Sequence, residues 1–342
     1  MHSSPGEDSP SPAIPDLPPF DPTDQDQYGQ IIAKPLPPPH GRLWVQVALL
    51  IATLFSTTIA GGCHYFAFSQ DLASSDQALA STPTFMEMLG DPIFYLHGLW
   101  YSLTILAILG CHEMGHYIAC LRYNVIATRP FFLPAPVLTG TLGAFIRIKS
   151  RIPTKTALFD IGIAGPLAGF AVAVPALFIG LMLSRIDHLP QDQSGLIELG
   201  EPLLFKAAAW LVWGPVPQGS SINMHPMAFA AWFGLLATAL NLFPISQLDG
   251  GHITYAVLGR RSTPITIVMI GVAMVLSYQS RSWIVWTVLL IAMVGFLGPH
   301  HPPTLYDDEP VDGKRVALAI VALLILIVCF TPVPIGEFLG GR

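Results

Sequence analysis

The sequence predicts an all-α polytopic membrane protein with about seven transmembrane helices, and three observations carry that reading. Of 342 residues, 52% are hydrophobic and only 11% charged, against about 25% charged in soluble domains. The mean hydropathy is +0.56, too high for a chain that must cover itself with a water-facing surface. The apolar residues are also gathered into long stretches lacking Asp, Glu, Lys and Arg. A helix needs about 20 such residues to cross a ~30 Å hydrocarbon layer. A soluble enzyme and a wholly disordered chain are thereby excluded. With a net charge of -6 there is no basic field for a phosphate backbone, so no nucleic acid is expected as a partner.

Residues 1–41 come first and stand apart. Pro5, Pro10, Pro12, Pro15, Pro18, Pro19, Pro22 and the Pro37–Pro39 run are mixed with six carboxylates. Such a segment cannot bury enough apolar surface to fold, and it reads as a Pro-rich disordered cytoplasmic tail. Residues 42–342 form the membrane domain. Its apolar stretches are Leu43–Gln70, Pro92 to about Leu121, Ile161–Ser184, Pro226–Leu248, Ser262–Ser280, Trp283–Leu297 and Val316–Thr331. The Ala207–Trp213 piece is too short to span and is expected to lie at the interface or re-enter the membrane.

Lysine and arginine set the orientation. Lys34 and Arg42 precede the first stretch, and the loop Asp71–Asp91 has neither. Arg122, Arg129, Arg147, Lys149, Arg151 and Lys155 lie between the second and third. Arg260 and Arg261 follow the fourth, and Lys314 and Arg315 precede the seventh. Basic loops alternate with poor ones, which fits seven spans with the N-terminus in the cytoplasm. Cys63, Cys111, Cys120 and Cys329 form no CxxC pair and read as small buried hydrophobes rather than disulfides or a thiolate site.

Inside the second stretch stands His112-Glu113-Met114-Gly115-His116. On a helix, positions i and i+4 are about 40° apart in rotation and one turn apart in rise, so both imidazoles can reach one zinc ion. Glu113 lies beside them, able to take a proton from metal-bound water. Ionisable groups at membrane depth are costly and mark function. A hydrolytic zinc site takes three protein ligands and keeps one position open. The strong candidate for the third is Asp249, in the run Asn241-Leu242-Phe243-Pro244-Ile245-Ser246-Gln247-Leu248-Asp249-Gly250-Gly251. Pro244 is expected to break or kink the fourth stretch, and Gly250 and Gly251 to loosen the chain just past Asp249. His252, three residues on, is expected either to steady the ligands or to be a polar surface residue.

These paired motifs resemble the site-2 protease family of intramembrane zinc metalloproteases, peptidase family M50. The HExxH at 112–116, the Leu248-Asp249-Gly250 motif with Asn241 and Pro244 ahead of it, and Gly162-Ile163-Ala164-Gly165-Pro166 in the third stretch carry the likeness. Gln247 to His252 bring it closest to the branch of chloroplasts and cyanobacteria, here without a PDZ domain. The resemblance implies a catalytic core at about 92–260 and one Zn2+ per chain held by His112, His116 and Asp249. It further implies Glu113 as general base and Asn241 as a helper at the oxyanion or substrate backbone. Membrane-anchored protein substrates, cut near the cytoplasmic face, and the lipid bilayer are the implied partners; the oligomeric state stays open. The expected location is a bacterial inner membrane, with a photosynthetic membrane as the other host. A metal transporter and a non-catalytic client-binding protein are the competing readings of the same residues.

A helical substrate must be unwound before it is cut. Ile146, Ile148 and Ile152 alternate with Arg147, Lys149 and Arg151. That period of two predicts a short cytoplasmic-side strand or loop segment over 145–152 between helices two and three, either a strand that pairs with an extended substrate or a strand or loop that meets anionic headgroups.

Overall fold

The computed structural model describes residues 43–70, 83–190 and 197–337; the Pro-rich tail expected at 1–41 lies outside them. Among the described residues the chain is mainly helical. Helix α1 is Leu43–Ser69, α2 Phe85–Gly90, α3 Pro92–Arg122, α4 Lys155–Leu183, α5 Leu203–Trp213 and α6 Pro226–Asn241. Helices α7 Asp249–Leu258 and α8 Ser262–Gln279 join through one 3-10 turn, and α9 Arg281–Leu297 and α10 Gly313–Cys329 follow.

Among the described residues, four helical runs are long and apolar enough to cross a membrane: α1, α3, α4 and the continuous Asp249–Gln279. Helices α5, α6 and α9 are apolar but shorter. At ~1.5 Å per residue, the 31 residues of α3 extend about 46 Å, well beyond the hydrocarbon layer. The 16 residues of α6 extend only about 24 Å. The outer faces of α1, α8, α9 and α10 expose Ile51, Phe55, Val268, Val275, Leu289, Phe296 and Leu323, a surface that lipid covers and water does not.

Helix starts follow local chemistry. Asp91 caps α3 by accepting from the Ile93 N–H, with Pro92 at the first helical position; Thr154 caps α4 by accepting from the Ala157 N–H. Helix α4 is the hub, packed on α3, α5, α6, α7 and α10. The core around it holds Phe159, Leu177, Leu181, Trp232 and Leu235. With no water to drive helices together in lipid, small residues and hydroxyls mediate the contact. Thr57 Oγ1 lies 2.6 Å from Ser102 Oγ, joining α1 to α3. At the basic end, the Arg315 guanidinium of α10 donates to both Asp160 oxygens of α4, at 2.8 and 2.6 Å, and the Tyr123 hydroxyl donates to the same carboxylate. All four cysteines are free thiols, Cys120 and Cys329 fully buried.

Among the described residues there are three two-stranded antiparallel ladders: β1 (Phe131–Pro134) with β2 (Thr141–Phe145), β3 (Arg185–His188) with β5 (Ser220–Asn223), and β4 (Ile197–Leu199) with β6 (Ile335–Glu337). The regular strand thus ends at Phe145, where the alternation had predicted one to begin. Beyond it the chain keeps only an isolated bridge, Ala127 to Ile148, and the bonds Thr128 N–H to Arg147 O and Lys149 N–H to Ile126 O. The alternation itself is visible in burial: Ile146, Ile148 and Ile152 pack on Cys120, Val125 and Ile161, while Arg147, Lys149 and Arg151 face outward.

The expected fourth stretch also divides differently. Helix α6 stops at Asn241, and Asp249 opens the next helix instead of closing this one. Pro244 offers no N–H for a continuing helix. Ser246 then adopts φ +42°, a left-handed conformation costly for a side-chain-bearing residue. It is held there by a bond from its N–H to Thr266 Oγ1 and from its hydroxyl to the Gly298 carbonyl.

Candidate metal centre

His112 and His116 sit one turn apart on the inner face of α3, each 6% exposed, and Glu113 between them is equally buried. Asp249 reaches the pair from the first position of α7, where a helix N-terminus favours a carboxylate. His112 Nε2 lies 3.2 Å from Asp249 Oδ2, and His116 Nε2 lies 3.3 Å from Asp249 Oδ1. The two Nε2 atoms are 3.1 Å apart. In a tetrahedral site with zinc bonds of about 2.05 Å, neighbouring ligand atoms stand about 3.3 Å apart. The residues therefore fit one zinc-sized cation, and they form one candidate metal-binding group among the described residues.

Backbone groups complete the site. His116 Nδ1 lies 2.7 Å from the Ile161 carbonyl of α4. A carbonyl only accepts, so the proton is on Nδ1 and the Nε2 lone pair is free to bind metal. The Ile146 N–H, just past β2, is directed toward the Glu113 carboxylate. Successive strand residues offer their backbone groups to opposite edges. Arg147 and Lys149 pair with 126–128, so the edge carrying Ile146 faces the site. The Asn241 side-chain nitrogen, at the end of α6, stands 3.3 Å from His112 Nε2.

Two glycines permit this convergence. A Cβ on Gly165 of α4 would lie 2.1 Å from His116 Nε2. A Cβ on Gly250 would lie 2.0 Å from the Leu242 carbonyl, so the first turn of α7 folds back tightly on the end of α6. Gly250 and Gly251, expected to loosen the chain after Asp249, instead pack it: both are buried in that first turn.

All five residues singled out in the sequence (His112, Glu113, His116, Asn241 and Asp249) meet in one place. His252, three residues past Asp249 in α7, pairs with a residue outside this group. Its Nδ1 lies 2.6 Å from His301 Nε2, the His301 ring stacks on Tyr255 at 4.5 Å, and the Tyr255 hydroxyl donates to Asp307. Burial holds the His301 pKa below the ordinary imidazole value. Sequence reasoning missed Ile146, Ile161 and the His252–His301 pair.

Comparison with known proteins agrees with the geometry. Residues 100–278 match the Peptidase family M50 model, a span that contains every residue of the site. The chain is 30% identical over 286 residues to the Arabidopsis thaliana "Probable zinc metalloprotease EGY2, chloroplastic", covering 80% of this chain and 48% of that protein. It is 30% identical over 258 residues to the EGY2 of Oryza sativa subsp. indica, covering 73% and 45%. Against the Arabidopsis "Probable zinc metalloprotease EGY1, chloroplastic" it is 30% identical over 237 residues, 67% and 42%. The chain thus spans less than half the length of these relatives. A match over more than half its residues, enclosing the His112, His116 and Asp249 cluster, makes this chain a member of peptidase family M50.

Proposed function

We propose that the chain is an intramembrane zinc endopeptidase that cuts membrane-anchored proteins. The observation that carries this is the convergence of His112, His116 and Asp249 at tetrahedral spacing with the Glu113 carboxylate beside them. Bound zinc would supply Lewis acidity to water and to a peptide carbonyl. Glu113 takes the proton of the attacking water and returns it to the leaving amine. The Asn241 amide donates to the carbonyl oxygen as it gains charge. A transport site has no use for a buried carboxylate next to its first ligand, and client binding has no use for a complete ligand set.

The membrane reading has seven spans with a cytoplasmic N-terminus, a solvated tail at 1–41 and a membrane domain from 42, in a bacterial inner or photosynthetic membrane. Arg122, Arg129, Arg147 and Lys149 mark the cytoplasmic end. His116 is six residues before Arg122, about 9 Å along α3, so cleavage falls near that face. The edge through Ala144 and Ile146 receives the unwound substrate as an added strand.

The test is reconstitution of the purified chain in detergent with a single-span membrane substrate. Cleavage is expected, lost on chelation and regained with zinc; cleavage that survives chelation contradicts the reading. In the same assay Ala144→Pro removes one backbone donor from the free edge. It is expected to lower cleavage at least about tenfold with zinc retained, and unchanged cleavage rules out strand pairing.

A further inference from the structure

A cavity of ≈ 260 Å³ lies between the turn that follows α6 and the inner face of α9. Phe243 and Leu248 of the turn and Trp286, Leu290 and Met293 of α9 line it, and apart from Asn241 every lining residue is apolar. Asn241 is the same residue whose amide nitrogen stands 3.3 Å from His112 Nε2. Asn241 therefore borders both the cavity and the metal centre.

Size and chemistry narrow the occupant. The volume is far too small for a helix about 10 Å across, and it falls below the ~300–1,000 Å³ typical of pockets for whole small molecules. It suits one large alkyl or aromatic side chain. Charged groups are absent from the lining, and burying an unpaired polar side chain there would be costly. Consecutive Cα atoms of a chain are about 3.8 Å apart, so a side chain seated here belongs to a residue within one or two positions of the bond at the metal. Resting on the endopeptidase reading, we propose that this cavity is a specificity subsite for one large apolar side chain of the substrate beside the scissile bond. Leu290 and Met293 limit its size, and Leu289 and Trp286, which also line it, are exposed.

The experiment uses a single-span test substrate cut by the purified chain, with the cut site mapped by mass spectrometry. The residues flanking the cut are replaced in turn by Gly, Ala, Leu and Phe. At one flanking position, kcat/KM for Leu or Phe is expected to exceed that for Gly by at least about tenfold, the scale of hydrophobic pocket discrimination. Leu290→Trp fills the cavity and is expected to lower the Leu-to-Ala ratio at that position about tenfold, with zinc content reporting an intact site. Met293→Phe, a smaller filling change, shifts the same ratio in the same direction and serves if Leu290→Trp does not fold. Wild-type cleavage blind to size at every flanking position, or a ratio unmoved by filling, overturns the subsite and leaves a gap filled by lipid tails. A zinc-loaded wild-type chain that cuts no substrate overturns the endopeptidase reading itself, and the subsite with it.

Discussion

Glu113→Gln is expected to abolish proteolysis while leaving the metal in place. The change is isosteric, and the Gln carbonyl oxygen can still face the Ile146 N–H toward which the carboxylate is turned. None of the three ligand atoms is touched, and the backbone bond that fixes His116 comes from Ile161, on a different helix. What is lost is a base: an amide takes no proton from water and returns none to the leaving nitrogen. General acid–base catalysis contributes about 10²–10⁴-fold, so cleavage should fall at least about a hundredfold. Zinc content measured beside wild type should stay level. Proteolysis at wild-type rate in this variant would remove Glu113 from the chemistry.

Gly165→Ala should empty the centre without removing any ligand. Within a helix, alanine is favoured over glycine by roughly 0.5–1 kcal/mol, so α4 taken alone would gain stability. The added methyl, however, would sit 2.1, 2.4 and 2.5 Å from three atoms of the His116 ring, far inside van der Waals contact. Overpacking of that kind costs about 1–3 kcal/mol, and relief comes only by turning the ring or moving α4. Either movement also breaks the Nδ1 bond to Ile161, and loss of such a supporting contact costs roughly 10–100-fold in metal affinity. The clash therefore wins over the helix propensity. Gly271→Ala in α8, with nothing within 4 Å of its added Cβ, is the control and should keep both metal and activity. Equal zinc affinity in the two variants would contradict the tight α3–α4 approach.

The site was legible in the sequence where residue type carries the chemistry. Two histidines at helical spacing with a carboxylate between them, and an aspartate beside a proline-broken helix, are side-chain signals, and all of them converge. What escaped is carried by backbone. Any residue can offer the N–H of Ile146 or the carbonyl of Ile161, so nothing in their identity points to Glu113 or His116 across 33 and 45 positions of chain. Gly250 and Gly251 read as looseness in the sequence; their close packing is visible only once α7 is seen folded on Leu242. The strand was misplaced for a related reason. Its period of two shows in the inward isoleucines, yet where a ladder is regular depends on its partner, and β1 lies at 131–134. Helices were found readily because their apolar stretches are local. Their division at Asn241 and Asp249 turned on Pro244 and on the left-handed Ser246.

The measurement that tests the account most directly is the zinc content of purified wild-type chain beside Asp249→Ala. Asp249 is far from the histidines in sequence but lies 3.2 and 3.3 Å from their Nε2 atoms. If two distant segments build one site, wild type should hold about one zinc per chain, as a three-ligand site does, and the variant sharply less. Equal zinc in both would leave the histidine pair standing and remove Asp249 from the centre.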